Sequence, residues 1–271
     1  LNTEYDEDVI KVAITGKPNA GKSSILNNIL GEERVIVSPI AGTTRDAIDT
    51  YFEQGDNKFL LIDTAGIRRR SKVYENVERF SVIRSMSAVD RADVVLIVID
   101  ATEGVTEQDT KIAGIAHDEG KACIFVVNKW DLVEKDNKTM GNYKMSIREK
   151  FPFMSYAPIV FVSAVTNQRI AKILETVVSV SSEQNKRVST SVLNQVIAEA
   201  VMLNQPPSDK GRRLKIYYGT QTGVKPPTFT LFINDKELTH FSYTRYIENR
   251  MRENFGYEGT SIRIDYKQKR R

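Results

Sequence analysis

Residues 16–23, Gly-Lys-Pro-Asn-Ala-Gly-Lys-Ser, satisfy the pattern G-x-x-x-x-G-K-[ST] of a phosphate-binding loop. A chain that carries such a loop between a strand and a helix has few folds open to it. Val9 to Thr15 reads as a short, β-branched strand, and Ser23 to Leu30 as a helix with apolar residues at i, i+1, i+4 and i+5. Gly16 and Gly21 let the backbone curl so that its N–H groups point at phosphate oxygens, and the helix start adds its positive dipole end. Lys22 is expected to reach the β- and γ-phosphates and the Ser23 hydroxyl to take a Mg²⁺ position. Lys17, Pro18, Asn19, Ala20 and Ser24 complete the expected cradle.

The apolar content of 41% supports a real core in a chain of 271 residues, long enough for one large or two ordinary domains. No apolar run approaches the ~20 residues of a membrane span, and no signal peptide is read. Cys123 is the single cysteine, so no disulfide forms within the chain, and its place in the run Ala122 to Val127 predicts a buried strand residue. These features fit a reducing cytoplasm and exclude a disulfide scaffold. The net charge of +4 is unevenly spread: residues from 186 onward hold 16 Lys/Arg against 8 Asp/Glu, a net +8, leaving 23 and 27 before them, a net −4. A neutral-to-acidic domain followed by a basic one is expected, the basic one suited to a polyanion.

Further motifs follow at strand ends. Thr43-Thr44 sits in a polar turn-prone segment one loop after the first helix. Thr44 is expected to lend its hydroxyl to Mg²⁺ and its N–H to the γ-phosphate, a contact that lasts only as long as that phosphate. The strand Lys58 to Ile62 ends in Asp63-Thr64-Ala65-Gly66, where the Asp63 carboxylate holds Mg²⁺ through water and Gly66 offers its N–H to the γ-phosphate. Ile67 follows where Ras-like proteins carry the glutamine that orients the attacking water, so Ile67 cannot do that work. Ile67 to Lys72 is read as a mobile basic loop. Ala92 to Asp100 is a continuous apolar run, as a strand buried on both faces requires. Ala122 to Val127 delivers Asn128-Lys129-Trp130-Asp131, in which Asp131 accepts from guanine N1–H and the 2-amino group together, a donor pair that adenine lacks. Asn128 braces the loop, and the stem of Lys129 lies along the purine. Ile159 to Val162 leads to Ser163-Ala164, whose backbone can contact guanine O6, and Asn167 to Val180 closes as a helix. Ligand residues at successive strand carboxyl ends predict a doubly wound, mainly parallel α/β sheet. Lys22, Asn19, Thr44 and Gly66 are the expected catalytic set.

Gly-x-Pro-Asn-x-Gly-Lys-Ser, Gly-Thr-Thr-Arg-Asp, Asp-Thr-Ala-Gly-Ile-Arg-Arg-Arg and Asn-Lys-Trp-Asp together resemble the second GTPase domain of the EngA/Der proteins. Those are bacterial GTPases with two tandem G domains and a C-terminal KH-like domain, acting in assembly of the large ribosomal subunit. The resemblance covers essentially all 271 residues. It implies that residues 1–8 are a linker from an absent N-terminal GTPase domain, itself a partner, and that GTP or GDP is bound with Mg²⁺ at Ser23, Thr44 and Asp63. It also implies a potassium ion near the phosphates, dependent on Asn19, in place of an arginine finger. Where the family usually has a glycine after Ser163-Ala164, this chain has Asn167.

The G domain is expected over 9–182, a Ser/Glu/Gln/Lys-rich linker over 183–191, and a basic α+β domain over 192–271 in the order α-β-β-α-β. Its elements are read at Val192 to Leu203, Leu214 to Gly219, Thr228 to Ile233, Tyr243 to Phe255 and Ser261 to Ile264. Gly256-Tyr257-Glu258-Gly259 spells the G-x-x-G of KH domains, but between a helix and a strand, so it is read as a helix stop. Lys267, Lys269, Arg270 and Arg271 are read as a basic tail suited to rRNA phosphates. The expected activity is GTP hydrolysis with a slow basal rate, by a monomer that docks on the large ribosomal subunit and its rRNA and not on membranes. The alternative is an RNA- or protein-binding scaffold in which guanine nucleotide is a structural ligand, distinguished by negligible turnover.

Overall fold

The structure, a computed structural model, describes residues 8–32, 35–37, 49–70 and 86–269. Thr44, the predicted linker except Asp8, and Arg270 and Arg271 lie outside the described residues. The chain divides into two units, Leu1–Ser181 and Ser182–Arg271.

In the first unit, β1 (Val9–Gly16) runs into α1 (Lys22–Leu30). Then come β2 (Val35–Val37), β3 (Thr50–Gln54), β4 (Asn57–Ile62) and α2 (Thr64–Arg70). Next are β5 (Val94–Asp100), α3 (Glu107–Asp118) and β6 (Ala122–Asn128). The unit closes with α4 (Thr139–Lys150), β7 (Ile159–Phe161) and α5 (Ile170–Asn185), the last running past the unit boundary. The sheet order is β2-β3-β4-β1-β5-β6-β7, parallel from β4 to β7, with β2 and β3 antiparallel at one edge. The continuous apolar run of β5 has a direct cause. Val94, Leu96 and Val98 join a core with Ile25, Leu26 and Ile29 of α1 and Ile173, Leu174 and Val177 of α5. Val95, Ile97 and Ile99 face the opposite way, into a core with Ala113 and Ala116 of α3 and Ile147 of α4. A strand covered on both faces favours apolar residues along its length, and in β5 the one polar residue, Asp100, comes at its carboxyl end. Each such aliphatic side chain contributes about 1.5–3 kcal/mol of transfer free energy. Helix α3 begins on a capping box: Thr106 accepts from Asp109 N–H while the Asp109 carboxylate accepts from Thr106 N–H. Cys123 is fully buried, as its run predicts.

The second unit holds α6 (Thr190–Leu203), a two-stranded ribbon of β8 (Ser208–Asp209) and β9 (Arg212–Arg213), then β10 (Ile216–Gly223), β11 (Thr228–Ile233), α7 (Phe241–Phe255) and β12 (Arg263–Gln268). Its main sheet is β10-β11-β12, the first pair antiparallel and the second parallel. Leu193 and Ile197 of α6 and Ile247 and Met251 of α7 pack with Phe229, Leu231 and Ile233 of the sheet.

Several expectations need correction. Ile67 to Arg70 is helical rather than a loop: α2 starts on the Asp63 cap and runs to Arg70, while Ser71 and Lys72 lie outside the described residues. The stretch 183–191 is helical at both ends, α5 reaching Asn185 and α6 starting at Thr190, where the Ser189 hydroxyl accepts from Val192 N–H. Lys267 is a strand residue, since β12 pairs with β11 as far as Gln268 against Ile233. Gly256 to Gly259, by contrast, is the helix stop that was expected: α7 ends at Phe255 with Gly256 as its cap, and within the turn Tyr257 is fully buried and its N–H donates to Glu183, 2.6 Å away. Helix α4, β2 and the β8–β9 ribbon have no counterpart in the sequence reading.

Candidate functional site

Parallel register brings the motifs to one edge. Gly16 lies beside Val98, and Asp100 beside Asn128, so β1, β5 and β6 end at one level. The loop between β1 and α1 turns on Asn19 (φ 63°) and Gly21 (φ 96°). A Cβ at Gly21 would sit 2.1 Å from Asn128 Nδ2, so only glycine fits there. The Lys22 ammonium folds over the loop and donates to the carbonyls of Gly16 (2.8 Å) and Lys17 (2.5 Å). Ala20 is buried, Pro18, Asn19 and Ser24 are exposed, and the Lys17 side chain pairs with Glu103.

Asp63, in the left-handed region at φ 54°, closes β4 and caps α2. Its Oδ1 accepts from Gly66 N–H (3.2 Å), its carbonyl from Ile67 N–H (3.3 Å), and its own N–H donates to Asp49 (2.8 Å). A Cβ on Gly66 would come within 2.4 Å of Asp63 Oδ2. Thr64 is buried and shares a hydrogen bond with Thr50 at 2.8 Å, and Ala65 follows it in the first turn. The Ser23 hydroxyl donates to the Ile67 carbonyl (2.9 Å), which ties the first motif to the second. The side chain of Ile67 is 8% exposed and belongs to the α1-side core, so it presents nothing to a water.

Asn128 is the keystone of the edge. It is 2% exposed, its Nδ2 donates to the Ala20 carbonyl (2.9 Å), and its Oδ1 accepts from Ala164 N–H (3.1 Å). The Ala164 amide thus serves the brace in this structure, where the sequence reading placed it toward a guanine O6. Its carbonyl accepts from Asn28 at 2.5 Å. Ser163 is buried and its hydroxyl accepts from Thr166 N–H (3.1 Å). Asn167 supplies the left-handed turn (φ 56°) that a glycine would otherwise give, which accounts for its place there. Lys129 is also left-handed (φ 62°), and its ammonium pairs with Asp100 Oδ2 at 2.5 Å. Burial works to raise the Asp100 pKa, but hydrogen bonds from Lys129 and Thr102 outweigh it and hold the carboxyl below its ordinary value. Trp130 is an anchor: the residue is 2% exposed, its indole packs on Phe161 and edge-on to Tyr143, and its backbone N–H donates to the Val162 carbonyl (3.1 Å).

Asp131 Oδ1 is buried without a hydrogen-bond partner among the described residues. A buried carboxylate oxygen left unpaired is costly, and a guanine that donates N1–H and its 2-amino group would satisfy it. Among the described residues no group of three or more His, Cys, Asp or Glu is placed to hold a metal. A Mg²⁺ held by the Ser23 hydroxyl, a water on Asp63 and phosphate oxygens needs no such group, so the residues present fit that ion. Asp100, Glu103 and Asp49 were missed as site residues by sequence reasoning. Position was the one signal for Asp100 and Glu103, which lie at and just past the carboxyl end of a buried strand, where ligands of such sheets gather; Asp49, ahead of β3, had none.

A family model described as 50S ribosome-binding GTPase matches residues 11–129, and one described as the KH-domain-like region of EngA bacterial GTPase enzymes, C-terminal, matches residues 187–267. GTPase Der of Alkaliphilus metalliredigens is 67% identical over 265 residues, covering 98% of this chain and 60% of the relative. GTPase Der of Alkaliphilus oremlandii is 63% identical over 266 residues, with the same two coverages. The chain thus spans about 60% of the length of these relatives. A crystal structure of Era in complex with MgGDPNP and nucleotides 1506–1542 of 16S ribosomal RNA is 22% identical, covers 97% of this chain and 94% of its own, and aligns with a TM-score of 0.49.

Proposed function

The chain belongs to the EngA/Der family of GTPases, and from that premise we propose that it binds and hydrolyses GTP as a switch in assembly of the large ribosomal subunit. In this reading the second unit contacts rRNA or ribosomal protein, and the protein works in the cytoplasm. Among the described residues no helix is long and apolar enough to cross a membrane. The observation that carries the nucleotide reading is the buried Oδ1 of Asp131, without a partner among the described residues, at the sheet edge that holds the phosphate loop. It supports guanine over adenine because only guanine offers the paired donors.

Mg²⁺, when bound, neutralises charge on the β- and γ-phosphates. Ser23 and Asp63, with Thr44, would hold it. The Lys22 ammonium and the loop N–H groups bind the phosphates and stabilise the charge that builds as water attacks the γ-phosphorus. Gly66 N–H is the donor for the γ-phosphate, released for that purpose from Asp63. Asn128 holds the phosphate loop against the base loop through Ala20 and Ala164. With Ile67 in the core, nothing at that position orients the water, so basal turnover is slow. A completed site in related switches gains about 10⁵-fold, or ~7 kcal/mol of barrier, which a partner or a potassium ion near Asn19 must supply.

The test is GTP turnover in potassium and in sodium, alone and with large ribosomal subunits, for the wild type and Asn19→Ala. Potassium stimulation lost in the variant is expected. Tight GTP binding with no turnover in any condition would replace the switch by a scaffold.

A further inference from the structure

The second unit has a face that its own core leaves uncovered. The side chains of Phe229, Leu231 and Ile233 alternate toward α6 and α7, so Thr228, Thr230 and Phe232 point the other way. Register places Tyr218 opposite Phe232, and Phe232 beside Lys267. Tyr218 and Phe232 stack with centroids 4.4 Å apart and planes at 16°, Tyr218 being 42% exposed, and the Lys267 ammonium lies 5.9 Å over the Phe232 ring.

At the same end of this sheet a hollow of about 390 Å³ is lined by Arg212, Arg213, Lys215, Tyr217, Asp235 and Lys269, among others. Arg212 is neutralised there by Asp235 at 2.8 Å and Glu237 at 3.6 Å, whereas the Arg213 guanidinium donates to the neutral Gln205 amide and, among the described residues, forms no ion pair. Among the described residues Lys215, Lys267 and Lys269 take part in no ion pair, and the Lys269 ammonium lies 5.6 Å over the Tyr217 ring, 51% exposed. Backbone bonds fix this cluster to the sheet end: Lys215 N–H donates to Asn234 Oδ1 (2.8 Å) and Lys269 N–H to the Ile233 carbonyl (2.9 Å).

Cations without ion-pair partners among the described residues, beside the exposed ring of Tyr218, match the two needs of a single-stranded nucleic acid, phosphates to neutralise and base faces to stack. We propose that the open face of β10-β11-β12 binds single-stranded RNA, with a base on the outer face of Tyr218, which Phe232 backs, and phosphates on Arg213, Lys215, Lys267 and Lys269. This rests on the reading that the unit contacts RNA, and gives that contact a location. It is separate from Gly256 to Gly259, where the Tyr257 side chain is buried and its N–H is taken by Glu183.

The test is fluorescence anisotropy of the full chain with a labelled oligouridylate of about a dozen nucleotides, over a salt series, beside a poly-glutamate peptide and intact large subunits. Tyr218→Ala is expected to weaken oligouridylate binding by roughly 5- to 150-fold, the worth of a stacked base, with the salt dependence unchanged. Tyr218→Phe is expected to retain binding. Lys215→Ala with Lys269→Ala is expected to flatten the slope of log K against log salt by about 1.4, at ~0.7 per phosphate contact. Circular dichroism checks that the variants are folded. Unaltered binding in folded Tyr218→Ala and in the double lysine variant would overturn this site while leaving RNA contact standing. Preference for poly-glutamate, lost in the same variants, would make the face a protein-docking surface and overturn the proposal. Binding to subunits but not to the oligonucleotide would overturn it too, and binding to neither would remove the RNA reading as well.

Discussion

Asn128→Ala tests the brace at the centre of the site. Asn128 satisfies two backbone groups that solvent does not reach well: the carbonyl of Ala20, fully buried, and the N–H of Ala164, 8% exposed. Truncation leaves both unpaired. At about 1–3 kcal/mol for each unsatisfied buried group, the first unit should lose roughly 2–6 kcal/mol without any nucleotide present. Trp130 is the only tryptophan, is buried in this unit and lies two residues from the mutated position, so its fluorescence reports the unit's unfolding in urea. With a denaturant slope of about 2–3 kcal/mol per M, the midpoint should fall by roughly 0.7–3 M. Asn128→Asp keeps the acceptor for Ala164 but sets a carboxylate oxygen against the Ala20 carbonyl, so it should not rescue. A nucleotide-free midpoint unchanged in both variants, with nucleotide affinity reduced, would refute the reasoning and make Asn128 a ligand contact only.

Gly66→Ala should lower the thermal midpoint, because the new Cβ meets the Asp63 carboxylate that caps α2; were Gly66 an ordinary helix residue, alanine would stabilise by about 1 kcal/mol, so a rise in the midpoint rejects the cap. The Asp100 carboxyl is held below its ordinary value, so its contribution is present above the unfolded pKa of about 3.9 and is lost as pH falls through the folded value. Asp100→Asn should therefore reduce stability at pH 7 and flatten the acid limb, and superimposable curves of stability against pH would dismiss the Lys129 pair as a source of stability. Burial pushes the Cys123 thiol above its usual range, so a thiol reagent at pH 8 should leave the folded protein unlabelled and modify one thiol in urea; equal labelling rates in both would contradict it.

The nucleotide elements were legible in the chain because each is a local spacing. Gly16 to Ser23, Asp63 to Gly66 and Asn128 to Asp131 are short runs whose turn geometry and strand-end position follow from neighbours in sequence, and the apolar run of β5 announces two covered faces. Sequence alone also marked Cys123 as buried, Ile67 as unfit to orient water, and Gly256 to Gly259 as a helix stop. The partners of those residues were decided only by tertiary structure. Parallel register sets Asp100 beside Asn128, and so puts Asp100 within reach of Lys129. The same layering carries Asn128 to Ala20, 108 residues away. Asp63 caps a helix where a loop was read, because a left-handed residue at the end of β4 turns its carboxylate back on Gly66. Trp130, placed by its motif at the nucleotide, instead holds its ring among Tyr143 and Phe161, residues of α4 and β7 that no local pattern links to it. Spacing along a chain encodes which groups a turn can present, whereas which distant group lies opposite is set by the packing of sheet and helices around the core.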